Sequence, residues 1–558
     1  MSPAPVQTSL RRLWAYAFAG FFLIFGAWAF AAPYDGPPDE VQHVIRAAGV
    51  VSGQFAPEPT ILDNWDGRGS RGLGAYQTVP EGLHSPATCW GFNPDKPASC
   101  QTPIHGGPLA EVPTSAGRYN PTYYAFVGLP VRLWPGWGGL VLSRLISAAL
   151  SAALLACAFA VLVRWSRFGL MLGGLVAAST PMLAHLAGAV NPNGLEITAG
   201  IALFAAGIPM LLDDRPVASR RPLYWLFGIS AVLLALVRPL GPLWLVCALA
   251  ALALGLSRAR IRELWSTRLV RNWLLATGAA LLASIAWTLV MRTGSVVPPD
   301  DDMPYISPLQ AALTYFEDWN IYFRGMVGAA GWFDIFIPSP FYWLWVSFVA
   351  GLLLFALVAV GWIDRWRFVP FVLGGFVAPG IMQVAKANVL GLQVIGGRYM
   401  LPLLVGIPLL AAFLLDRTLM NARLSRTMTR LFIIALLPIH IVMLVYAMIR
   451  WQRGRGSGAF NILKGEWHPP TGSLLPMLLM LVGVVVAAYV FWRAQNQIHQ
   501  AASREAKVTI TTADWSATTA AAGNGGAVAT NGAASGATAT VGRHRRPESD
   551  DESPVIGP

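Results

Sequence analysis

Residues 13–48 read LWAYAFAGFFLIFGAWAFAAPYDGPPDEVQHVIRAA. This stretch indicates both the environment in which the chain folds and the chemistry of its polar residues. Its first part, 13–32, carries no charge and is long enough to cross a bilayer, because about 20 helical residues span a ~30 Å hydrocarbon core. We interpret it as a retained anchor, since no small-residue cleavage site precedes Tyr34. Its second part places Asp39 and Glu40 directly after two prolines. The stretch therefore predicts a membrane helix followed at once by an acidic segment.

The rest of the chain is as apolar as this first run. Hydrophobic residues make up 55% of the 558 residues and charged residues only 12%, a balance that excludes an ordinary soluble protein. Lipid offers no partner to an unpaired backbone amide, so each hydrophobic run must cross as a helix. We predict an all-α polytopic membrane protein with about twelve spans, at 13–32, 139–163, 168–187, 194–212, 223–237, 240–256, 272–291, 341–361, 368–385, 400–415, 431–449 and 474–492.

Arginines set the predicted orientation. They cluster in alternate short loops, as in 215–221, 258–271 and 417–430, and the positive-inside rule places such loops in the cytoplasm. Both termini of this plasma-membrane protein then lie in the cytoplasm, and the long loops 33–138 and 292–340 are extracytoplasmic. The net charge of +12 follows from this topology and gives no reason to expect a nucleic-acid partner.

The cysteines and the C-terminal composition agree with this layout. Cys89 and Cys100 both lie in the first outer loop, where an oxidising compartment permits a disulfide, and such a bond would contribute about 2 to 3 kcal/mol to the order of that loop. From residue 494 onward Ala, Gly, Thr, Ser and Asn dominate, and such a segment buries too little apolar surface to fold. We predict a transmembrane domain over 1–493 and a disordered cytoplasmic tail over 494–558.

The segment after the first span predicts a short helix that begins near Pro38, because proline suits a first helical turn and acidic residues there complement the helix dipole. On this helix Asp39, His43 and Arg46 share a polar face. The opposite face is apolar, so we expect the helix to lie flat on the bilayer with its polar stripe toward a cavity. The alternative interpretation is that Asp39 and Glu40 merely cap the helix.

Cationic residues recur where later spans reach the outer surface. Lys386 begins the loop before the tenth span, and Arg398 and Tyr399 end it. Arg238 lies at the outer turn between the fifth and sixth spans, and Arg144 lies about a turn inside the second span, where an unpaired charge is costly. Such cations can match the charge of a phosphate group at the membrane edge. The alternative is that they only extend toward the polar interface.

Seven short motifs, taken in order, resemble the pattern of the bacterial membrane family called domain of unknown function 2142. They are Pro37-Pro38-Asp39-Glu40 with His43, Asn120-Pro121 before Tyr123-Tyr124, Asn191-Pro192-Asn193-Gly194, Arg238-Pro239, Gly331-Trp332, Gly397-Arg398-Tyr399 with Leu401-Pro402, and Trp467-His468-Pro469-Pro470. Aromatic and amide residues in such outer segments suit either packing at the interface or contact with a substrate. The match extends over residues 13–492.

That family is similar in layout to the GT-C superfamily of membrane glycosyltransferases, which have many spans, an acidic motif just after the first span and polyprenyl-phosphate-linked sugar donors. The resemblance implies a GT-C-like fold, with Asp39 or Glu40 as the catalytic carboxylate and Arg398 as a ligand of the lipid phosphate. It does not fix the sugar. It also leaves open whether a divalent cation is needed, which Asp39 or Glu40 would hold.

Our leading hypothesis is a glycosyltransferase that moves a sugar, with inversion, from a polyprenyl-phosphate donor to a glycan or lipid acceptor of the cell envelope. Asp39 or Glu40 is the expected base, His43 and Arg46 orient it, and the phosphate is surrounded by Arg144, Arg238, Lys386 and Arg398 with Tyr399. The first alternative is a transporter or flippase of a lipid-linked precursor, which predicts polar residues deep in several spans. The second alternative is a non-catalytic scaffold of an envelope-assembly complex.

Overall fold

The computed structural model describes residues 9–63, 71–215, 219–293, 295, 305–390, 396–455 and 461–523, with side chains up to 503 apart from 389 and 390. Within these residues the chain is mostly helical and has two small antiparallel sheets. A first compact unit ends at Ser503 and a second begins at Arg504.

The helices follow the apolar runs of the sequence. In chain order they are α1 Leu10–Ala31, α2 Glu40–Val51, α3 Thr122–Leu133, α4 Trp137–Trp165, α5 Leu170–Ala178, α6 Pro181–Ala187, α7 Pro192–Leu212, α8 Arg221–Val237, α9 Gly241–Ala253, α10 Arg258–Ser266, α11 Arg268–Val290, α12 Pro308–Glu317, α13 Trp319–Val327, α14 Ser339–Ala359, α15 Trp362–Trp366, α16 Val369–Val372, α17 Ala378–Leu390, α18 Leu401–Leu404, α19 Gly406–Thr418, α20 Ala422–Leu436, α21 Ile439–Arg453 and α22 Leu474–Gly523. A π-helical turn, Leu373–Val377, joins α16 to α17, and a 3-10 turn, Gly397–Met400, leads into α18.

Each of the twelve predicted spans falls on a helix, but the count of twelve is not reproduced. By length and apolar composition nine segments of the described chain can cross a membrane, and a tenth can do so if α5 and α6, which are bent by 60° at their junction, form one span. Helices α8 and α9 lie on two further predicted spans and are apolar, but they have only 17 and 13 residues. The fold is that of a helical multi-span membrane protein.

Contacts between loops group them as the topology prediction does. Among the loops predicted to be cytoplasmic, Arg260 of α10 donates to the backbone carbonyl of Asp213. Among the outer segments, Arg450 Nε donates to Asp334 Oδ2 at 2.7 Å and its Nη2 donates to the carbonyl of Trp90 at 2.9 Å. In these examples, loops predicted to lie on the same side of the membrane contact each other. Which of the two sides is the cytoplasm stays a prediction.

The first outer loop contains a three-stranded sheet, where the sequence analysis predicts only short helices. Its antiparallel strands pair in the order β1 Thr60–Asp63, β2 Arg71–Pro80 and β3 Leu109–Thr114. The second sheet pairs β4 Ala329–Ala330 with β5 Ile335–Phe336. A disulfide joins Cys89 to Cys100, whose Cα atoms are 6.2 Å apart.

Helix α2 packs against α3 and this sheet, and it is enclosed by protein. Its polar residues are as buried as its apolar ones, since Glu40 and Arg46 have no exposed surface and His43 is 5% exposed. The expectation that α2 lies flat on the bilayer is therefore wrong, because Val44 and Ile45 belong to the hydrophobic core of the protein rather than contacting lipid.

Helix α7 is buried along nearly its whole length. It and the residues just before it contact two segments that carry predicted site residues, the start of α2 and the segment around α18. Val190, just before α7, donates its backbone N–H to Glu40 Oε1 at 3.0 Å. Gly200 lets α7 approach the backbone of α18, because a Cβ at this position would lie 2.1 Å from the carbonyl oxygen of Pro402. The start of α2 and the segment around α18 thereby lie against the same helix.

Helix α22 continues to Gly523, beyond the predicted start of the tail at residue 494. The predicted boundary is too early because the helix still makes buried contacts after that point: Gln495 Nε2 donates to the carbonyl of Phe168 at 2.8 Å, and Ile498 is part of the core. Residues 524–558 lie outside the described residues, so the disorder of the tail stays a prediction.

Candidate functional site

A tight turn between α1 and α2 fixes the conformation of Asp39. The carboxylate of Asp35 accepts hydrogen bonds from the backbone N–H groups of Val41 at 3.1 Å and Ala87 at 2.9 Å, which ties the turn to the outer loop. Asp39 has a φ of 64°, in the left-handed region that is unfavourable for a residue with a side chain. Its carboxylate makes no capping hydrogen bond to α2. Helix capping by its side chain therefore does not explain the presence of an aspartate at position 39.

Glu40 and Arg144 form a fully buried ion pair. Arg144 Nε and Nη2 donate to the two carboxylate oxygens of Glu40 at 2.8 and 2.5 Å, and its other N–H groups donate to the carbonyl oxygens of Ala29, Ala32 and Pro33. All five N–H groups of Arg144 are thus used, and none is left for a phosphate. These contacts join α2, α4 and the end of α1, in place of the roles as base and phosphate ligand that were expected for the two residues.

Asp39 and Arg398 lie together although 359 residues separate them. Asp39 Oδ2 is 3.3 Å from Arg398 Nη2, and the side chain of Asp39 is 33% exposed whereas that of Arg398 is 4% exposed. Arg398 Nη2 also donates to the hydroxyl of Tyr399 at 2.9 Å. Within the described ranges, Arg398 Nε and Nη1 have no hydrogen-bond partner. The site therefore combines an accessible carboxylate with a guanidinium that has unused donors.

A second guanidinium, that of Arg238, lies near the same tyrosine. Its central carbon is 5.0 Å from the ring centroid of Tyr399 and 5.7 Å from that of Tyr119. The central carbon of the Arg398 guanidinium is 4.9 Å from the Tyr399 centroid, so the two guanidinium carbons are at most about 10 Å apart. Arg238 Nε is 3.8 Å from Glu196 Oε2. Two cations and two aromatic rings thus border the space beside Asp39.

His43 makes its hydrogen bond away from Asp39, with its Nδ1 2.8 Å from the hydroxyl of Tyr124. Burial, and to a smaller extent the positive charges of Arg238 and Arg398, hold the pKa of His43 well below 6.5. The imidazole is therefore neutral at physiological pH. This contact does not provide the predicted orientation of Asp39 by His43.

Arg46 holds backbone carbonyls of the outer loop. Its two Nη atoms donate to three of them at 2.6 to 3.0 Å, those of Gln54, Phe55 and Tyr119. The bond to Tyr119 fixes the backbone of the residue whose ring lies against Arg238. Arg46 thus contacts the site through Tyr119, and its direct role in substrate binding stays a prediction.

Lys386 lies in α17 and is partly exposed. In the part of the chain that the structure describes, no hydrogen bond or ion pair joins it to Asp39. Its place beside the phosphate stays a prediction.

The site lies inside the region that a family comparison matches. Residues 22–407 match the family described as "Predicted membrane protein (DUF2142)". The chain belongs to this family. No curated protein matches it.

Among solved structures, this DUF2142 member is similar to ArnT from Cupriavidus metallidurans. The crystal structure of ArnT bound to undecaprenyl phosphate aligns with a TM-score of 0.39 and 12% identity, and the apo structure with a TM-score of 0.37 and 13% identity. Both alignments cover 88% of this chain and 78% of the other.

Asp39 and Glu40 of this DUF2142 protein do not fit a divalent cation. Both oxygens of Glu40 are occupied by Arg144, and an ion at Asp39 would lie against the guanidinium of Arg398. Among the described residues there is no group of three or more His, Cys, Asp and Glu side chains that could hold a metal ion. We derive no chemical step through a metal.

Two residues of this region were not predicted individually as part of the site. Tyr119 belongs to an outer segment whose aromatic residues fitted packing as well as substrate contact. Glu196 was missed because it was counted as part of the apolar span 194–212. An ionisable residue inside a span is itself a signal of function, so the charge of Glu196 could have identified it.

Proposed function

We propose that this protein is a GT-C-type glycosyltransferase that transfers a sugar from a polyprenyl-phosphate donor to a hydroxyl group of an envelope glycan or lipid, on the extracytoplasmic side. The observation that carries this proposal is the pair of Asp39 and Arg398, whose side chains approach within 3.3 Å. The carboxylate is accessible and the guanidinium has two N–H-bearing nitrogens without a partner among the described residues.

The proposed step is a single displacement at the anomeric carbon. The acceptor oxygen forms a bond to this carbon while the bond from the carbon to the phosphate oxygen breaks. Asp39 takes the proton of the acceptor hydroxyl, and the polyprenyl phosphate leaves with the electron pair of the broken bond. Attack opposite the leaving group inverts the anomeric centre. Arg398, with Arg238 nearby, stabilises the negative charge that the phosphate gains.

Helices near Arg398 also offer a surface for the carrier's hydrocarbon tail. An apolar cleft of about 270 Å³ is lined by residues of α13, α14, α18 and α19, including Phe323, Met326, Trp345 and Leu401. Leu401 is three residues after Arg398, so a phosphate at the guanidinium would have the start of its chain close to this cleft. A lipid-linked donor therefore matches the site better than a water-soluble one.

The test uses the purified protein in proteoliposomes with undecaprenyl phosphates that carry radiolabelled hexoses or pentoses, and with extracted envelope material as acceptor. The proposal predicts release of undecaprenyl phosphate together with labelled acceptor. Arg398→Gln should weaken binding of undecaprenyl phosphate by about tenfold or more, because a hydrogen bond to a charged group contributes about 1.5 to 3 kcal/mol. Arg71→Gln, the same change at an exposed arginine of the first outer loop, is the matched control.

Two outcomes would contradict the proposal. Movement of the lipid-linked sugar across the bilayer without transfer would make the protein a transporter or flippase. Full transfer by Arg398→Gln, with undecaprenyl phosphate bound as tightly as by the wild type, would remove the site from the reaction.

A further inference from the structure

The first turns of α7 carry two buried polar side chains, Asn193 and Glu196, close to the segment that leads to Asp39. Asn191 caps α7 by accepting from the backbone N–H of Asn193 at 3.0 Å, and its Nδ2 donates to the carbonyl oxygen of Pro38 at 3.2 Å. The start of α7 is thus bonded to the residue before Asp39. Asn193 and Glu196 are three residues apart on this helix, so their side chains are neighbours on one face. They are 2% and 1% exposed.

Both side chains have an oxygen without a hydrogen-bond donor. In the described part of the chain, Asn193 Oδ1 and Glu196 Oε1 accept no hydrogen bond. The other oxygen of Glu196 lies 3.8 Å from Arg238 Nε, a distance that indicates an ion pair without a hydrogen bond. A buried acceptor without a donor costs about 1 to 3 kcal/mol, and a charged one costs more. A buried group that bears such a cost needs an explanation, and a bound ligand that supplies the missing donor is one.

Glu196 differs in this respect from other buried carboxylates of the described chain. Glu40 accepts from Arg144 and from a backbone N–H. Asp35 accepts from two backbone N–H groups, and Asp416 accepts from the backbone N–H groups of two residues and from two serine hydroxyls. The fold therefore provides donors to the acids that it uses for structure. Glu196 has an acceptor that the protein does not satisfy.

The unsatisfied groups are complementary to one kind of ligand. Arg398 offers unused donors, which need an anion, whereas Asn193 and Glu196 offer unused acceptors, which need hydroxyl donors. A phosphate alone fits only the first set, because a carboxylate repels it. A phosphate ester of a polyhydroxylated ring fits both sets at once.

We infer that Asn193 and Glu196 form a subsite that binds hydroxyl groups of the sugar on the lipid-linked donor and so distinguishes the glycosylated lipid from the bare lipid phosphate. The inference rests on the proposed function and assigns the sugar of the donor to the start of α7. The ring of Tyr399 lies against both guanidiniums and is partly exposed, so it borders the same subsite.

The experiment compares dissociation constants of undecaprenyl phosphate and of undecaprenyl phosphates carrying neutral hexoses or pentoses, measured on the full-length protein in nanodiscs. The wild type should bind at least one glycosylated lipid more tightly than the bare phosphate. Glu196→Gln should reduce this preference by about tenfold or more, since it replaces a charged acceptor of a hydroxyl by a neutral one. Binding of the bare phosphate should be unchanged or tighter, because a nearby negative charge is removed.

Asn193→Ala is the second variant, because it leaves no charge unpaired and is expected to fold even where Glu196→Gln does not. It should also reduce the preference for the glycosylated lipid. Thr198→Val is the matched control, since Thr198 is buried in the same helix and donates its hydroxyl to carbonyls of its own turn. It should leave the preference unchanged.

The outcomes separate the inference from the proposed function. If the wild type prefers a glycosylated lipid and both variants keep this preference, the subsite is overturned while the proposed function stands. If Glu196→Gln weakens both lipids equally, Glu196 is only a counter-ion of Arg238 and the inference is wrong. If the wild type prefers no glycosylated lipid but transfers the sugar in proteoliposomes, the inference is wrong and the proposed function stands. If it shows neither the preference nor transfer, the proposed function itself fails.

Discussion

Arg144 offers a sharp test of the physical reasoning, because the sequence and the structure give it different roles. Arg144→Met removes the cation that compensates the buried carboxylate of Glu40, and it takes one donor from each of the carbonyls of Ala29, Ala32 and Pro33. Breaking a buried ion pair by removing one partner costs about 3 to 5 kcal/mol. We expect a clear fall in the midpoint of thermal unfolding in detergent.

A double variant separates this cost from a loss of packing. In Glu40→Met with Arg144→Met, neither charge remains, and apolar replacement of a whole buried pair is often close to neutral. The double variant should therefore be more stable than Arg144→Met alone, with a coupling energy of about 1 kcal/mol or more. The folded fraction of each variant should bind undecaprenyl phosphate as the wild type does. Wild-type stability of Arg144→Met together with weakened binding of this lipid would refute the reasoning.

Three further predictions concern other parts of the fold. Gly397→Ala should displace Arg398 and so weaken binding of undecaprenyl phosphate, because a Cβ at this position would lie 2.0 Å from the carbonyl oxygen of Tyr322. Gly351→Ala is the control, since a Cβ there would meet no atom within 4 Å. Equal binding of the lipid by the two variants would contradict the prediction. Burial lowers the pKa of His43, so the unfolded chain binds a proton at a higher pH than the folded protein does. The free energy of unfolding should therefore fall as the pH drops below about 6.5, by up to about 1.4 kcal/mol per pH unit. His43→Gln should reduce this slope, and a slope equal to that of the wild type would contradict the prediction. Replacing Cys89 and Cys100 by serine should destabilise the outer loop by about 2 to 3 kcal/mol and speed its proteolysis. Cys247→Ser, a change at a free cysteine, is the control. If the outer loop is cleaved no faster in the double serine variant than in this control, the disulfide does not stabilise the loop.

The sequence predicted best those features that depend on local composition. Hydrophobic runs identified every helix of the described residues that is long and apolar enough to cross a membrane, and the position of Asp39 just after α1 located the turn of the site. Asp39 and Arg398 were both predicted by residue as parts of one site, and their side chains approach within 3.3 Å. Periodicity and charge suffice for such features because each depends on neighbouring residues.

Features that depend on distant partners could not be predicted in the same way. Nothing around Glu40 indicates that Arg144, 104 residues later, occupies both of its oxygens. The amphipathic pattern of α2 fits a helix on a bilayer as well as one enclosed by a sheet and α3, since both environments contact its apolar face. Tertiary packing alone decides between them.

The measurement that tests the central claim most directly is the turnover of Asp39→Asn beside its affinity for undecaprenyl phosphate. The account predicts a loss of sugar transfer of about a hundredfold or more, as expected when a general base is removed, with the lipid still bound through Arg398. Asp63→Asn, an exposed change in the same outer loop, should transfer at the wild-type rate. Transfer by Asp39→Asn at the rate of Asp63→Asn would contradict the assignment of Asp39 as the base.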